Sequence, residues 1–340
     1  MLKRDTIRSS YRWIIEQAEK SSGRVYALAE QWNSLDDTDQ GGMDVLALLH
    51  PKHIAHFDET WMMAAYFREL LVYQLWSELY DVEWQFCEIE GGWQRMIPLR
   101  DRVTLYYILE NRQVSDTYLT NRGDPKRRRA MAQAVKEFFG DAPFIWSVGA
   151  SQKETGDYAC LPADVTGADG HCHPAYLTPK ANGINCYQNV HGAAWLGTIK
   201  LPSTLLEIIG RLWGRADARR MALVEYELYS CLQFLARINS RRFDSADQVR
   251  DVVADKAQAE YIARMWNLDP DRVLPLPMRQ SLKDDLDDVA SKGTGRKKTK
   301  TDEERREHLR QKQAKRRATK AQIAGREVGC NGRPKKPRNG

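Results

Sequence analysis

The chain has no apolar run approaching the ~20 residues that a membrane-spanning helix requires. Its opening, Met1-Leu-Lys-Arg-Asp-Thr-Ile-Arg8, carries charge where a secretory signal needs an apolar stretch. Cysteine is sparse, with 6 in 340 residues, too few for a dense disulfide framework. These absences predict no membrane partner and an intracellular, reducing setting, cytoplasmic or nucleoid-associated. No Cys-x2-Cys pair and no fixed-period repeat occur, which removes the commonest zinc knuckles and the solenoid folds. Aromatics are plentiful: 10 Trp, 14 Tyr and 8 Phe within 42% hydrophobic content can build a buried core.

Acidic and basic side chains are unevenly placed. The formal charge is +6, but Lys292 to Gly340 holds 18 Lys and Arg against 5 Asp and Glu, a net of +13. The remaining residues carry 34 basic and 41 acidic groups, a net of −7. An acidic body with a basic arm points to a polyanionic partner met by the arm.

Periodicity predicts a predominantly α fold with a small β-hairpin component. An α-rich region over 1–140 begins with Ile7, Tyr11, Ile14, Ile15 and Ala18 on one helical face, and a short helix then carries Val25, Leu28 and Trp32. A long helix is expected from Asp58 to Tyr80, and alternation around Gly91-Gly92 predicts a hairpin over about 82–99. Asp124-Pro125 starts another helix and Gly140 ends it. Residues 141–200 read as an irregular segment rich in Cys and His. A helical region over 201–290 includes Val224, Leu228, Cys231, Leu232 and Leu235 on one face. There Ser245-Ala-Asp-Gln248 reads as a capping box before Val249, Val252 and Val253.

The basic tail, 291–340, has internal order. Arg296, Lys297 and Lys298 form a basic linker, and Thr301-Asp-Glu-Glu304 matches a capping box opening a helix over 302–324. Such a helix is about 35 Å long. Arg305, Arg306, Arg310, Lys315, Arg316, Arg317 and Lys320 surround it, and Leu309 and Ile323 are its only large apolar residues, so no coiled-coil seam forms. Cations spaced along a rod gain by releasing the counterions condensed on nucleic acid. The final Asn331-Gly-Arg-Pro-Lys-Lys-Pro-Arg338 resembles the AT-hook family, whose Arg-Gly-Arg-Pro core lies in the minor groove of A·T-rich DNA. Gly332, Arg333 and Pro334 coincide with that core, Lys335, Lys336 and Arg338 supply the basic flank, and Asn331 replaces the first core arginine. The resemblance implies DNA as partner in preference to RNA.

Two body segments are candidate sites. Cys160, His171, Cys172, His173, Cys186 and His191 concentrate zinc-ligand types within 32 residues, making zinc a candidate cofactor. His171-Cys172-His173 also resembles the His-hydrophobic-His motif of rolling-circle replication initiators. That resemblance implies a divalent metal on the histidines and Tyr226 or Tyr229 as nucleophile. Lys126, Arg127, Arg128 and Arg129 occupy the first turn of the helix after Asp124-Pro125, where a bound phosphate would offset their conflict with the helix dipole. The composite expectation is a DNA-binding protein of replication or transcription control. The alternatives are a metal-dependent nuclease or initiator, and an RNA-binding or assembly protein with an arginine-rich arm. The sequence assigns no catalytic residue to the first of these readings and fixes no oligomeric state.

Overall fold

The computed structural model describes residues 23–30, 44–62, 64, 66–87, 97–120, 124–181, 184–214 and 217–287. The chain divides into two units, Met1–Leu286 and Asp287–Gly340. Apart from Asp287, the second unit lies outside the described residues, and so do the expected 302–324 helix, the Gly-Arg-Pro end and every tail cation named above. The N-terminal helical face from Ile7 to Ala18 also lies outside them.

The body opens with strands β1 (Gly23–Ala27) and β2 (Val45–Leu49), which pair antiparallel. Helix α1 (Leu71–Tyr80) and the short α2 (Leu99–Arg102) lead into β3 (Val103–Leu109). Helices α3 (Asp116–Thr120) and α4 (Lys126–Phe139) precede β4 (Ile145–Ser147) and α5 (Ala150–Lys153). The antiparallel pair β5 (Asp164–Thr166) and β6 (Cys172–Pro174) comes before β7 (Gly192–Trp195). Helices α6 (Ser203–Trp213), α7 (Ala218–Leu223) and α8 (Tyr229–Leu235) come next, the last two joined by a π-turn at Val224–Leu228. Strand β8 (Val249–Asp255), α9 (Lys256–Trp266), β9 (Val273–Pro275) and α10 (Gln280–Asp287) complete the body.

The fold is α/β, which corrects the expectation of a predominantly α body. Five strands form one parallel sheet in the order β4-β7-β8-β3-β9. Parallel strands need crossovers, and right-handed crossovers running in opposite directions place helices on opposite faces. Phe138 of α4 packs on Tyr106, and Arg250 lies over Phe138 and Phe139. On the other face Phe234 of α8 packs on Trp195, and Gln258 of α9 reaches the end of β8. Burial on both faces explains why β3, Val-Thr-Leu-Tyr-Tyr-Ile-Leu, shows no alternation of apolar and polar residues.

Local expectations change accordingly. Val25 lies on β1 rather than on a helix. The helix expected from Asp58 starts only at Leu71: Tyr66 takes a left-handed φ of 55°, Phe67–Glu69 form one 3-10 turn, and the extended Leu70 separates that turn from the helix. No strand forms over 81–87; Trp84 and Phe86 alternate because they lean on the rings of Tyr73 and Trp76. Residues 88–96 of the expected hairpin lie outside the described residues. The irregular 141–200 segment contains four strands. Ser245 makes a turn, its Oγ accepting from the Asp247 N–H, and the chain then enters central strand β8 rather than a helix. The helix expected after Asp124-Pro125 is present as α4 and ends at Gly140 with φ of 58°.

A second, smaller apolar cluster joins Leu71 and Leu75 of α1 to Ile209, Trp213, Ala218 and Ala222, with Leu46 and Leu48 of β2 against it. At the amino end of the sheet the fully buried Arg102 guanidinium donates to the carbonyls of Asn239, Arg242 and Asp247 at 3.0–3.1 Å, fixing the segment that feeds β8. Gly192 permits the closest packing. A Cβ there would stand 2.5 Å from Phe139 Cε1 and 3.0 Å from Phe144 Cβ, whose rings stack 4.3 Å apart. Gly192→Ala is therefore expected to destabilise the body by about 1–3 kcal/mol. Urea denaturation measures this, and an unchanged midpoint would contradict the packing described.

Candidate functional site

In open parallel sheets, ligands bind beyond the carboxyl ends of the strands, where neighbouring connections leave in opposite directions. Here that point lies between β3, whose connection runs toward β4, and β8, whose connection runs toward β9. The loop after β3 is held firmly. Asp255, the last residue of β8, accepts from the Val114 N–H at 2.7 Å and from the Gln258 N–H at 2.9 Å. One carboxylate thus caps α9 and anchors the β3 loop. Lys200 Nζ donates to the Val114 carbonyl at 2.8 Å from the segment after β7. Gln258 links onward, its Oε1 accepting from the Ala254 N–H and its Nε2 donating to Glu227 at 2.9 Å. Glu227 lies in the π-turn, an irregularity frequent at functional positions.

This cluster is buried and titrates abnormally. Burial raises the Asp255 carboxyl against the pull of the two N–H groups, and burial raises Glu227 against the Gln258 amide. Asp251 is fully buried, and burial holds it well above the usual carboxylate range. Neither of its oxygens has a partner among the described residues. The Cys231 thiol is also held well up, first by burial and then by Glu227, Asp251 and Asp255.

The same β3 loop meets α4. Arg128 reaches Asp116 at 2.5 Å and Asp157 at 3.6 Å, Arg129 reaches Asp157 at 3.2 Å, and Lys126 reaches Asp285 at 2.8 Å. Arg127 lies 4.1 Å over the Tyr118 ring and donates to the Tyr118 carbonyl. Asp124 Oδ1 accepts from the Lys126 N–H. The four cations proposed for phosphate are thus gathered at the helix start, with carboxylates and a ring already engaging them. Among the described residues, Arg127 Nε and Nη2 and Arg128 Nε have no partner, and these atoms are sealed from solvent. The arrangement locks the β3–α4 connection to the segment after β4.

The Cys and His candidates are dispersed. His173 on β6 lies 2.8 Å from Asp169, whose carboxyl is lowered first by the His171 backbone N–H and then by the His173 ring. His191 precedes β7 and lies 3.5 Å from Asp247. Cys160 and Cys172 are exposed and Cys186 is half-buried; all five described cysteines are free thiols. Among the described residues no three His, Cys, Asp or Glu side chains are grouped to hold a metal. Tyr226 lies in the smaller apolar cluster under Lys180, and Tyr229 packs against the main core. Of the residues around β8, sequence reasoning passed over Asp255, although Asp255-Lys-Ala-Gln258 is itself a capping pattern. Asp251 and Glu227 carry no local signal, because only the tertiary fold buries them.

No protein family, curated protein or solved structure matches the chain. No helix among the described residues is long and apolar enough to cross a membrane.

A carboxyl whose folded pKa is raised keeps more protons in the folded chain, so its contribution is largest below the ordinary carboxylate range and is lost as pH rises. Asp251→Asn is therefore expected to raise the melting temperature at pH 8, with the difference shrinking as pH falls toward 4. A pH-independent difference in thermal unfolding would contradict burial of a titrating carboxyl.

Proposed function

We propose that the protein binds nucleic acid, DNA in preference to RNA, with an α/β body joined to a basic C-terminal arm. The observation that carries this reading is the division of charge, −7 before Lys292 and +13 from there on. The body supports it in a second way. Its densest basic run, Lys126 to Arg129, is engaged by Asp285, Asp116, Asp157 and Tyr118. Duplex phosphate affinity is then assigned to the arm, where basic residues outnumber acidic ones 18 to 5. The Gly332-Arg333-Pro334 end favours A·T-rich duplex: glycine allows close approach, proline keeps the chain extended, and arginine suits a narrow minor groove. Control of replication or transcription is the setting this reading suggests.

Removing Lys292–Gly340 is expected to abolish most of the affinity for duplex DNA. It should also flatten the dependence of log K on log salt, which loses about 0.9 per phosphate contact. Titrations of both chains against A·T-rich duplex, mixed duplex and RNA at several salt concentrations measure this. Affinity unchanged by the deletion at moderate salt would remove the arm from the reading.

A further inference from the structure

A cleft of about 190 Å³ lies where the start of α1, helix α7 and the last turn of α9 meet. Arg68, Arg220 and Arg264 line it together with Gln74, Glu69 and Asp217. Three guanidinium groups against two carboxylates make this a local positive excess on a net-negative body. Arg264 is 3.9 Å from Glu69, too long for a tight pair. Arg68 and Arg220 make no ion pair among the described residues, in contrast to Lys126, Arg128 and Arg129.

Aromatic rings border these cations. Arg68 stands 4.0 Å from the centroid of Phe86, which is 50% exposed. Phe86 is backed by Tyr73, and Tyr73 by Trp84, whose ring stacks on Trp76 of α1. Trp84 Nε1 donates to Ser77 Oγ at 3.0 Å, so the platform is fixed by packing and by a polar bond. Tyr66 is 37% exposed and donates to the Met265 carbonyl at 2.7 Å, capping α9 next to Arg264. It does so with φ of 55°, a costly conformation for a residue with a Cβ. Gln74 Nε2 donates to the Arg68 carbonyl at 2.8 Å, steadying the turn that carries Arg68.

Cations along a groove, interleaved with rings that offer a face, are what an unpaired strand needs: phosphates meet the cations and bases stack on the rings. The cleft is small, and the ring face beside it can be met only by an unstacked base, so the two features together favour an unpaired strand over a duplex. We propose that this cleft binds single-stranded nucleic acid, with phosphates on Arg68, Arg220 and Arg264 and a base against the open side of Phe86. The inference rests on the reading of the protein as a nucleic-acid binder and adds a second surface with a different strand preference. The arm meets phosphates wherever they are; the cleft accepts them only on an unpaired strand.

The test uses the full-length chain with a fluorescein-labelled oligothymidylate and a labelled mixed-sequence duplex, read by anisotropy across a salt series. The Arg68→Gln/Arg220→Gln double variant is expected to weaken oligothymidylate binding about tenfold or more and to lower its salt slope by about 1.4, or about 0.7 per contact. Phe86→Ala is expected to weaken it about tenfold with the salt slope unchanged. Duplex binding should stay within about twofold in both variants, because the arm is intact. Both arginines are exposed, so the double variant tests the cleft even if Phe86→Ala perturbs the platform; unfolding temperatures confirm that each body is intact. Oligothymidylate binding unchanged in the double variant, or lost equally for duplex, overturns the cleft and leaves the arm standing. A wild-type chain that binds neither probe overturns the nucleic-acid reading itself.

Discussion

Strand β8 shares its backbone hydrogen bonds with β3 on one edge and β7 on the other, while α4 closes one face of the sheet and α8 with α9 close the other. The rest of the body is arranged around the need to keep this strand dry. A strand buried on both sides must be nearly continuous in apolar residues, and β8 meets that need except at Arg250, Asp251 and Asp255. Each exception has a distinct solution. Arg250 lies over two aromatic rings, Asp255 spends its oxygens on two backbone N–H groups, and burial shifts the Asp251 carboxyl toward its neutral form. Because Asp255 sits at the strand end and binds the β3 loop, the direction in which that loop leaves the sheet is set by the same residue that starts α9.

The same constraint explains what could be read from the sequence. Helix α4 was legible because its signals are local: Asp124-Pro125 at the start, Gly140 at the end and an apolar side between them. The face of Leu228, Cys231, Leu232 and Leu235 was legible for the same reason, although the π-turn before it was not. Strands β3, β7 and β8 were not legible. Burial on both faces removes the alternation that marks a strand, and Val249, Val252 and Val253 happen to match helical spacing as well. Strand β7, Gly-Ala-Ala-Trp, is too short and too small in its side chains to show any period. The site was less legible still. The basic run at Lys126 to Arg129 was visible, but Asp116, Asp157 and Asp285 come from elsewhere in the chain. Nor could spacing bring Arg68, Arg220 and Arg264 to one cleft.

Charge in the body follows a simple division. At the carboxyl edge of the sheet, cations are consumed in holding loops: Lys200 on Val114, Arg128 on Asp116 and Asp157, Lys126 on Asp285. At the cleft beside α1 they are left loosely paired and next to rings. The strand ends where open α/β sheets usually hold a ligand are thus tied down by these contacts, and a loosely paired group of arginines lies on a helical surface instead. A rigid edge also keeps α9 in place, and α9 supplies Arg264 to the cleft and the carbonyl that Tyr66 caps.

The residues around Tyr176 run alongside β4, with the Trp146 N–H donating to the Ala175 carbonyl and the Leu177 N–H donating to the Trp146 carbonyl. The outer strand at that border of the sheet therefore already has a neighbour. At the opposite border β9 is three residues long and ends in Pro275, which has no N–H to offer. A growing filament needs a strand whose unpaired amides and carbonyls can template the next chain, and among the described residues both borders of the five-stranded sheet offer only short stretches of them. A second copy meeting this sheet edge-on would find few backbone groups to pair with, so any such contact would draw mainly on side chains, which surface substitution can alter without touching the strand pairing.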